Sequence, residues 1–171
     1  MSPGQPSGSG RREIAGYLRA SSPPLQAAIE AQRELGRQLA PLYVRANEGH
    51  AAEVAERARA LGKRQGQLFR TQLERVEKIV APPAARRGDE YLRRWLRFLI
   101  MACDALASAP DGGDTTYLGD CHDYVDDARY AAKALSTIRK RLRDALARPS
   151  TDAAPKPPRA AGQTPARRQP A

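Results

Sequence analysis

Between Tyr117 and Ala145 the apolar residues step 4-3-4-3 without a break: Tyr117, Cys121, Tyr124, Ala128, Ala131, Leu135, Ile138, Leu142 and Ala145. At 3.6 residues per turn, this seven-residue repeat lays all nine side chains along one stripe of a helix. A strand, with its period of two, would scatter them over both faces. The pattern therefore predicts one helix from about Thr115 to about residue 147, with Asp114 capping its start. A stripe of that length needs other helices to cover it.

The rest of the central chain supplies them. Ala, Leu, Arg, Glu and Gln dominate, and strand-like alternation is absent. A first helix is expected to open at "SSPPLQAAIEAQ", with Ser22 as N-cap and Pro23 at the first helical position. Its buried side would be Leu25, Ile29, Gln32, Leu35/Gly36, Leu39 and Tyr43, with a kink at Pro41. After a break at "NEGH", a second helix over about 50–80 would bury Val54, Ala58, Leu61, Gln65, Leu68, Gln72, Val76 and Ile79. Gln65 and Gln72 fall on this apolar stripe, either as polar residues that set register or at a wetter helix edge. "APPAARRG" ends it, and a third helix over about 89–108 turns Leu92, Trp95, Leu99, Cys103 and Leu106 inward. Short connections between amphipathic helices favour antiparallel neighbours. The expected fold is all-α, an up-down antiparallel four-helix bundle; the alternative is a three-helix bundle with one long kinked helix.

Residues 23–147 form the expected bundle domain. Residues 1–22 are expected to be disordered or to hold a short N-terminal helix. The tail, 148–171, is Pro/Ala-rich with scattered bases and almost nothing to bury, so it is expected to be disordered. The net charge of +10 suggests a polyanion partner, but +2 of it lies in residues 1–22 and +4 in the tail, leaving only +4 on the bundle. Two cysteines, Cys103 and Cys121, make neither a disulfide framework nor a zinc pattern. No signal-peptide core is visible, and the longest apolar run, "FLIMAC", is far short of the roughly 20 residues of a membrane helix. The expectation is a reduced, cytoplasmic protein with no membrane contact, and the Ala and Arg content suits a high-GC bacterial genome.

"YLGDCHDYVDDARY", residues 117–130, gathers four aspartates, a cysteine and a histidine. With the apolar stripe facing inward, Asp120 and Asp127 flank it on one edge, about 10.5 Å apart along the axis. One ion with bonds near 2 Å cannot be held directly by both. The chain has no E-x-x-H, the signature of metal sites inside bundles. Acid early and base late, as in "RKRLR" at 139–143, is what the helix dipole favours. The other reading is a docking edge for a basic partner, formed by Asp120, Asp123 and Asp127. Nothing in the sequence requires a cofactor.

"RANEGH" places Arg45 five residues before His50. The spacing resembles the R-x4-6-H motif of HEPN-type ribonucleases, which are also helical bundles. The resemblance covers six residues, and Ala46 stands where that family usually has a polar residue. It implies metal-independent RNA cleavage, with His50 as acid or base and Arg45 on the phosphate. Neither histidine stands in a phosphotransfer context, and no nucleotide-binding or hydrolase signature occurs.

On the third helix, Arg86, Glu90, Arg93 and Arg97 line the outer side, with Phe98 and Met101 pointing away from the Leu92/Leu99/Cys103 face. An apolar patch off the core face needs a cover: residues 11–20 as a helix, a second subunit, or a partner. Trp95 lies on the core face and cannot serve as a stacking platform for bases. The expected function is non-catalytic: binding to a protein partner or homo-oligomerisation. Weak, sequence-independent nucleic-acid binding through the basic tail is the alternative, and HEPN-like cleavage a further one.

Overall fold

The computed structural model describes residues 8–148. Four helices follow in order: α1 (Gly8–Asn47), α2 (Ala51–Glu77), α3 (Arg86–Ala107) and α4 (Thr116–Ala147), with one 3-10 turn at Pro83–Ala85 before α3. Each packs antiparallel against the next, α4 also touches α1, and the result is the four-helix bundle expected. Residues 1–7 and 149–171, including nearly all of the basic tail, lie outside the described residues.

α4 follows its heptad closely. Tyr117, Cys121, Ala128, Ala131, Leu135 and Leu142 are buried, and Tyr124, Ile138 and Ala145 half-buried. Asp114 accepts from the Thr116 backbone N–H at 2.9 Å and from the Thr116 hydroxyl at 3.0 Å, which fixes the start of the helix. The acids beyond it contribute little to the dipole: the first turn of α4 holds no acid and its last turn no base.

α3 is the centre of the bundle. It meets α2 on one side and α4 on the other and buries Leu92, Trp95, Leu96, Leu99, Cys103 and Leu106 completely or almost so. Each such side chain contributes about 1.5–3 kcal/mol by leaving water. The α2 contact is backbone against backbone. A Cβ on Gly62 would lie 2.4 Å from the Cys103 carbonyl oxygen and 2.6 Å from the Ala107 nitrogen, and one on Gly66 would lie 3.3 Å from the Cys103 Cβ. The buried face of α2 is the expected one at Val54, Ala58, Leu61, Gln65, Gln72 and Val76, and differs at one position: Phe69 is fully buried where Leu68, expected inside, is 45% exposed. Gln65 and Gln72 are both buried, so the wetter-edge reading does not describe them.

The largest departure is the start of α1. Ser22 and Pro23 do not open a helix; they lie near the middle of one that begins at Gly8 and crosses the expected boundary at residue 22. Pro23 and Pro24 leave the carbonyls of Arg19 and Ala20 without their usual N–H donors. Local polar groups hold this stretch. Arg139, the first of the late bases of α4, is buried; it donates to the Ser21 hydroxyl at 2.8 Å, the Ser22 hydroxyl at 3.1 Å and the Leu18 carbonyl at 3.5 Å. The Ser22 hydroxyl in turn donates to the Leu18 carbonyl at 2.6 Å. Earlier in the helix, Tyr17 donates to the buried Asp89 at 3.3 Å, and Arg93 holds the other oxygen of that carboxylate at 2.7 Å. Arg11 donates to the carbonyls of Leu146 and Arg148 at the end of α4. Ile14, Tyr17 and Leu18 then form a second small core with Ala85 and Leu142. Further along, the buried face is centred on Ala28, Ala31, Leu35, Leu39 and Leu42, leaving Gly36 exposed and Leu25, Ile29, Gln32 and Tyr43 half-buried.

Two substitutions separate the glycines that matter. Gly62→Ala is expected to lower stability by about 1–3 kcal/mol, because backbone on α3 cannot yield to the added carbon. Gly36→Ala, on an open helix surface, is expected to raise it by about 0.5–1 kcal/mol. Urea denaturation measures both. Replacing Arg139 with Met should speed amide exchange over residues 14–22 while leaving 28–47 protected, since its hydrogen bonds act on the first half of α1 alone.

Candidate functional site: the outer face of α3 and α4

Arg87, Glu90, Tyr91, Arg93, Arg94, Arg97, Phe98 and Met101 line an open groove of about 580 Å³ along the outside of α3. Met101 is 40% exposed, and Phe98 is half-buried against the main core. The N-terminal helix does not provide the cover expected for this patch. Its apolar residues pack instead beside the start of α3, on Ala85, Ile138, Leu142 and Leu146. The arginines divide into two kinds. Arg93 is engaged with Asp89, and Arg97 pairs with Glu77 of α2 at 3.6 Å. Arg87 and Arg94 are exposed and have no ion-pair partner among the described residues.

Asp120, Asp123 and Asp127 are exposed on α4 and also lack ion-pair partners. Asp126, one residue aside, is by contrast held by Arg129 at 2.6 Å and His122 at 3.4 Å. Among the described residues no three His, Cys, Asp or Glu side chains converge as a metal site would need, and no helix is long and apolar enough to cross a membrane. Tyr130, which sequence reasoning passed over, stands 74% exposed on the same helix. Its signal was present: Asp120, Asp123, Asp127 and Tyr130 step 3-4-3, a second heptad stripe beside the buried one.

Arg45 and His50 sit at the α1–α2 turn. Gly49 has a φ of +87°, the His50 N–H donates to the Arg45 carbonyl at 3.1 Å, and the Gly49 N–H to the Ala46 carbonyl at 3.1 Å. That is the Schellman ending of a helix, in which these two positions are always five residues apart. The Arg45 guanidinium binds Glu53 at 2.9 Å and approaches Glu48 at 3.7 Å. It holds the Glu53 carboxyl below its usual range, chiefly through their hydrogen bond. His50 is exposed at the start of α2. The turn accounts for the spacing, and carboxylates occupy the arginine.

A second groove, of about 380 Å³, runs between α1 and α4 over Trp95, whose indole N–H donates to Gln32 at 3.2 Å. Cys103 and Cys121 are fully buried, and burial pushes both thiols up to about 12. Tyr43, which donates to the Leu118 carbonyl at 2.9 Å, is likewise raised to about 12 by burial.

Comparison of the chain with protein-family models, with curated proteins and with solved structures finds no match.

The thiols give a pH prediction. Their folded pKa lies above the unfolded value of 9.0, so the unfolded chain releases these protons first as pH rises. The stability they lend is complete below pH 9.0 and is lost on the way to about 12. The urea midpoint should fall through this window, and a Cys103→Ala/Cys121→Ala variant should show a shallower fall. At pH 7–8 a disulfide reagent should modify neither thiol faster than the protein unfolds.

Proposed function

We propose that the protein is a non-catalytic helical bundle that acts by binding a protein chain through the outer face of α3 and α4. One observation carries this reading. Met101 and Tyr130 are exposed and Phe98 is half-buried at the edge of the core, flanked by charges without ion-pair partners among the described residues, and the N-terminal half of α1 that could have covered them is anchored elsewhere. Exposed apolar side chains within a rim of charge are the usual composition of a binding surface. Phosphate chemistry at Arg45 and His50 has weaker support, since the guanidinium already has carboxylate partners.

Site-directed photo-crosslinking tests the proposal. Benzoylphenylalanine at position 94 should give protein adducts in an extract of the source cell or with the purified chain. The same group at Leu68, on α2, should give none. Met101→Glu should reduce the adducts several-fold while changing stability by no more than about 0.5 kcal/mol. Absence of protein adducts at position 94, or adducts with nucleic acid alone, would contradict it.

A further inference from the structure

The exposed stripe on α4 does not end at Tyr130. It continues through Ala134, Thr137 and Arg141, again stepping 4-3-4. From Asp120 to Arg141 the spacing is 3-4-3-4-3-4, a complete heptad seam parallel to the one that builds the core. Its composition is polar in an ordered way. The first half carries Asp120, Asp123 and Asp127; the second carries Arg141, with Lys133 beside it. None of these five has an ion-pair partner among the described residues. Tyr130 lies at the midpoint.

α3 continues the same gradient. Gly88 lies against Ile138, since a Cβ there would meet the Ile138 Cγ2 at 3.2 Å. The helices are antiparallel, so each step forward on α3 is a step back on α4. Arg87 is then level with about residue 139, Arg94 with about 132, Phe98 with about 128 and Met101 with about 125. Asp120 precedes Ile138 by eighteen residues, about five full turns, so it leaves α4 on the side that faces α3. On α3, contacts with α2 involve Cys103, Asp104 and Arg97. Phe98 and Tyr91 project from the flank away from these, beside α4. The two helices thus share one outer face: acidic at the α3–α4 loop end, basic from the centre, where Arg94 lies, to the opposite end at Arg87, with Phe98, Met101 and Tyr130 within about five residues of one another in level near the middle.

Such a face complements itself. A two-fold axis in the contact plane, perpendicular to the helices and level with Tyr130, reverses one copy against the other. Asp120 then comes opposite Arg141 of the second copy, and Asp127 opposite Ala134 and Lys133 of the second copy. The two Tyr130 rings meet at the axis. On α3, Phe98 comes level with Arg94 of the second copy, a pairing of aromatic face and guanidinium. An axis parallel to the helices would instead set acid against acid. We infer that the partner of this face is a second copy of the chain, docked antiparallel across α4 in an isologous dimer. The inference rests on the proposal that the α3–α4 face is a binding surface, and it names the occupant.

Exposed ion pairs are individually weak and screened by salt. The dimer is therefore reversible and salt-sensitive, with the apolar centre supplying what survives at high salt. Sedimentation of the full chain should show a monomer–dimer equilibrium that weakens roughly tenfold or more between about 50 and 500 mM NaCl. Asp120→Lys/Asp127→Lys and Lys133→Glu/Arg141→Glu should each be monomeric where the wild type is dimeric. Mixed in equal amounts, the two should form a heterodimer, and the four changes in one chain should restore the homodimer. All four positions are exposed, so circular dichroism should match the wild type. A wild type that stays monomeric up to about 1 mM, variants that dimerise as the wild type does, or a mixture that stays monomeric would each overturn the inference. Position-94 adducts with a different protein, alongside a monomeric chain, would remove the dimer but keep the binding surface. No adducts and no dimer would remove both.

Discussion

The contact on which the bundle depends is that between the α2 backbone at Gly62 and the α3 backbone at Cys103 and Ala107. Only hydrogen fits between them. Because α3 settles this deeply against α2, its apolar arc from Leu92 to Leu106 is consumed by the core. α4 can then lay its heptad along the remaining side, and Cys103 and Cys121 are both fully buried. The same rotation decides what is left over. The side of α3 opposite the glycine contact carries Arg94, Phe98 and Met101, and no helix among the described residues lies across it. The close approach and the open face are two consequences of one rotational setting.

The N-terminal half of α1 is held differently. Three arginines do much of the work, each from its own direction: Arg11 at the carbonyls ending α4, Arg93 on the carboxylate shared with Tyr17, and Arg139 on the two serines before the prolines. Burial, with Asp89 beside it, holds the Tyr17 hydroxyl in its protonated form. Arg139 has hydroxyl and carbonyl acceptors rather than a carboxylate, which leaves its charge unbalanced inside the fold and makes its removal costly. Directional bonds of this kind set where the segment goes as well as how firmly it stays. They carry Ile14 and Leu18 to Leu142 rather than to Phe98, and so leave the α3–α4 face open.

Much of this was legible in the sequence. The heptad of α4 specified its length and buried face, and the Leu92/Trp95/Leu99/Cys103/Leu106 arc of α3 was read correctly, because periodicity reports burial directly. What escaped depended on tertiary partners. "SSPP" carries the local signature of a helix start, and partners distant in sequence, Arg139 over a hundred residues away among them, hold it as helix interior. Leu68 and Phe69 are adjacent and both apolar, so period alone could not choose between them; Phe69 lies on the same side as the Gly62/Gly66 contact and is the one buried. Those glycines read as weak helix formers until the approaching backbone is known. The Arg45–His50 spacing is set by a helix ending, and Gly49 between them was the available clue. At the candidate site, Phe98, Met101 and the aspartate stripe were found by their angle from the core. Tyr130 was missed because the second heptad was not followed past its acids.

Hydroxyl-radical footprinting across a range of protein concentrations tests the central claim most directly, because it reads each exposed side chain separately. Tyr130 and Met101 should lose reactivity together as concentration rises at low salt and recover it at high salt. Val44 and Leu68, exposed on α1 and α2, should not change. Equal protection at all four, or none at Tyr130 and Met101 under any condition, would contradict the account.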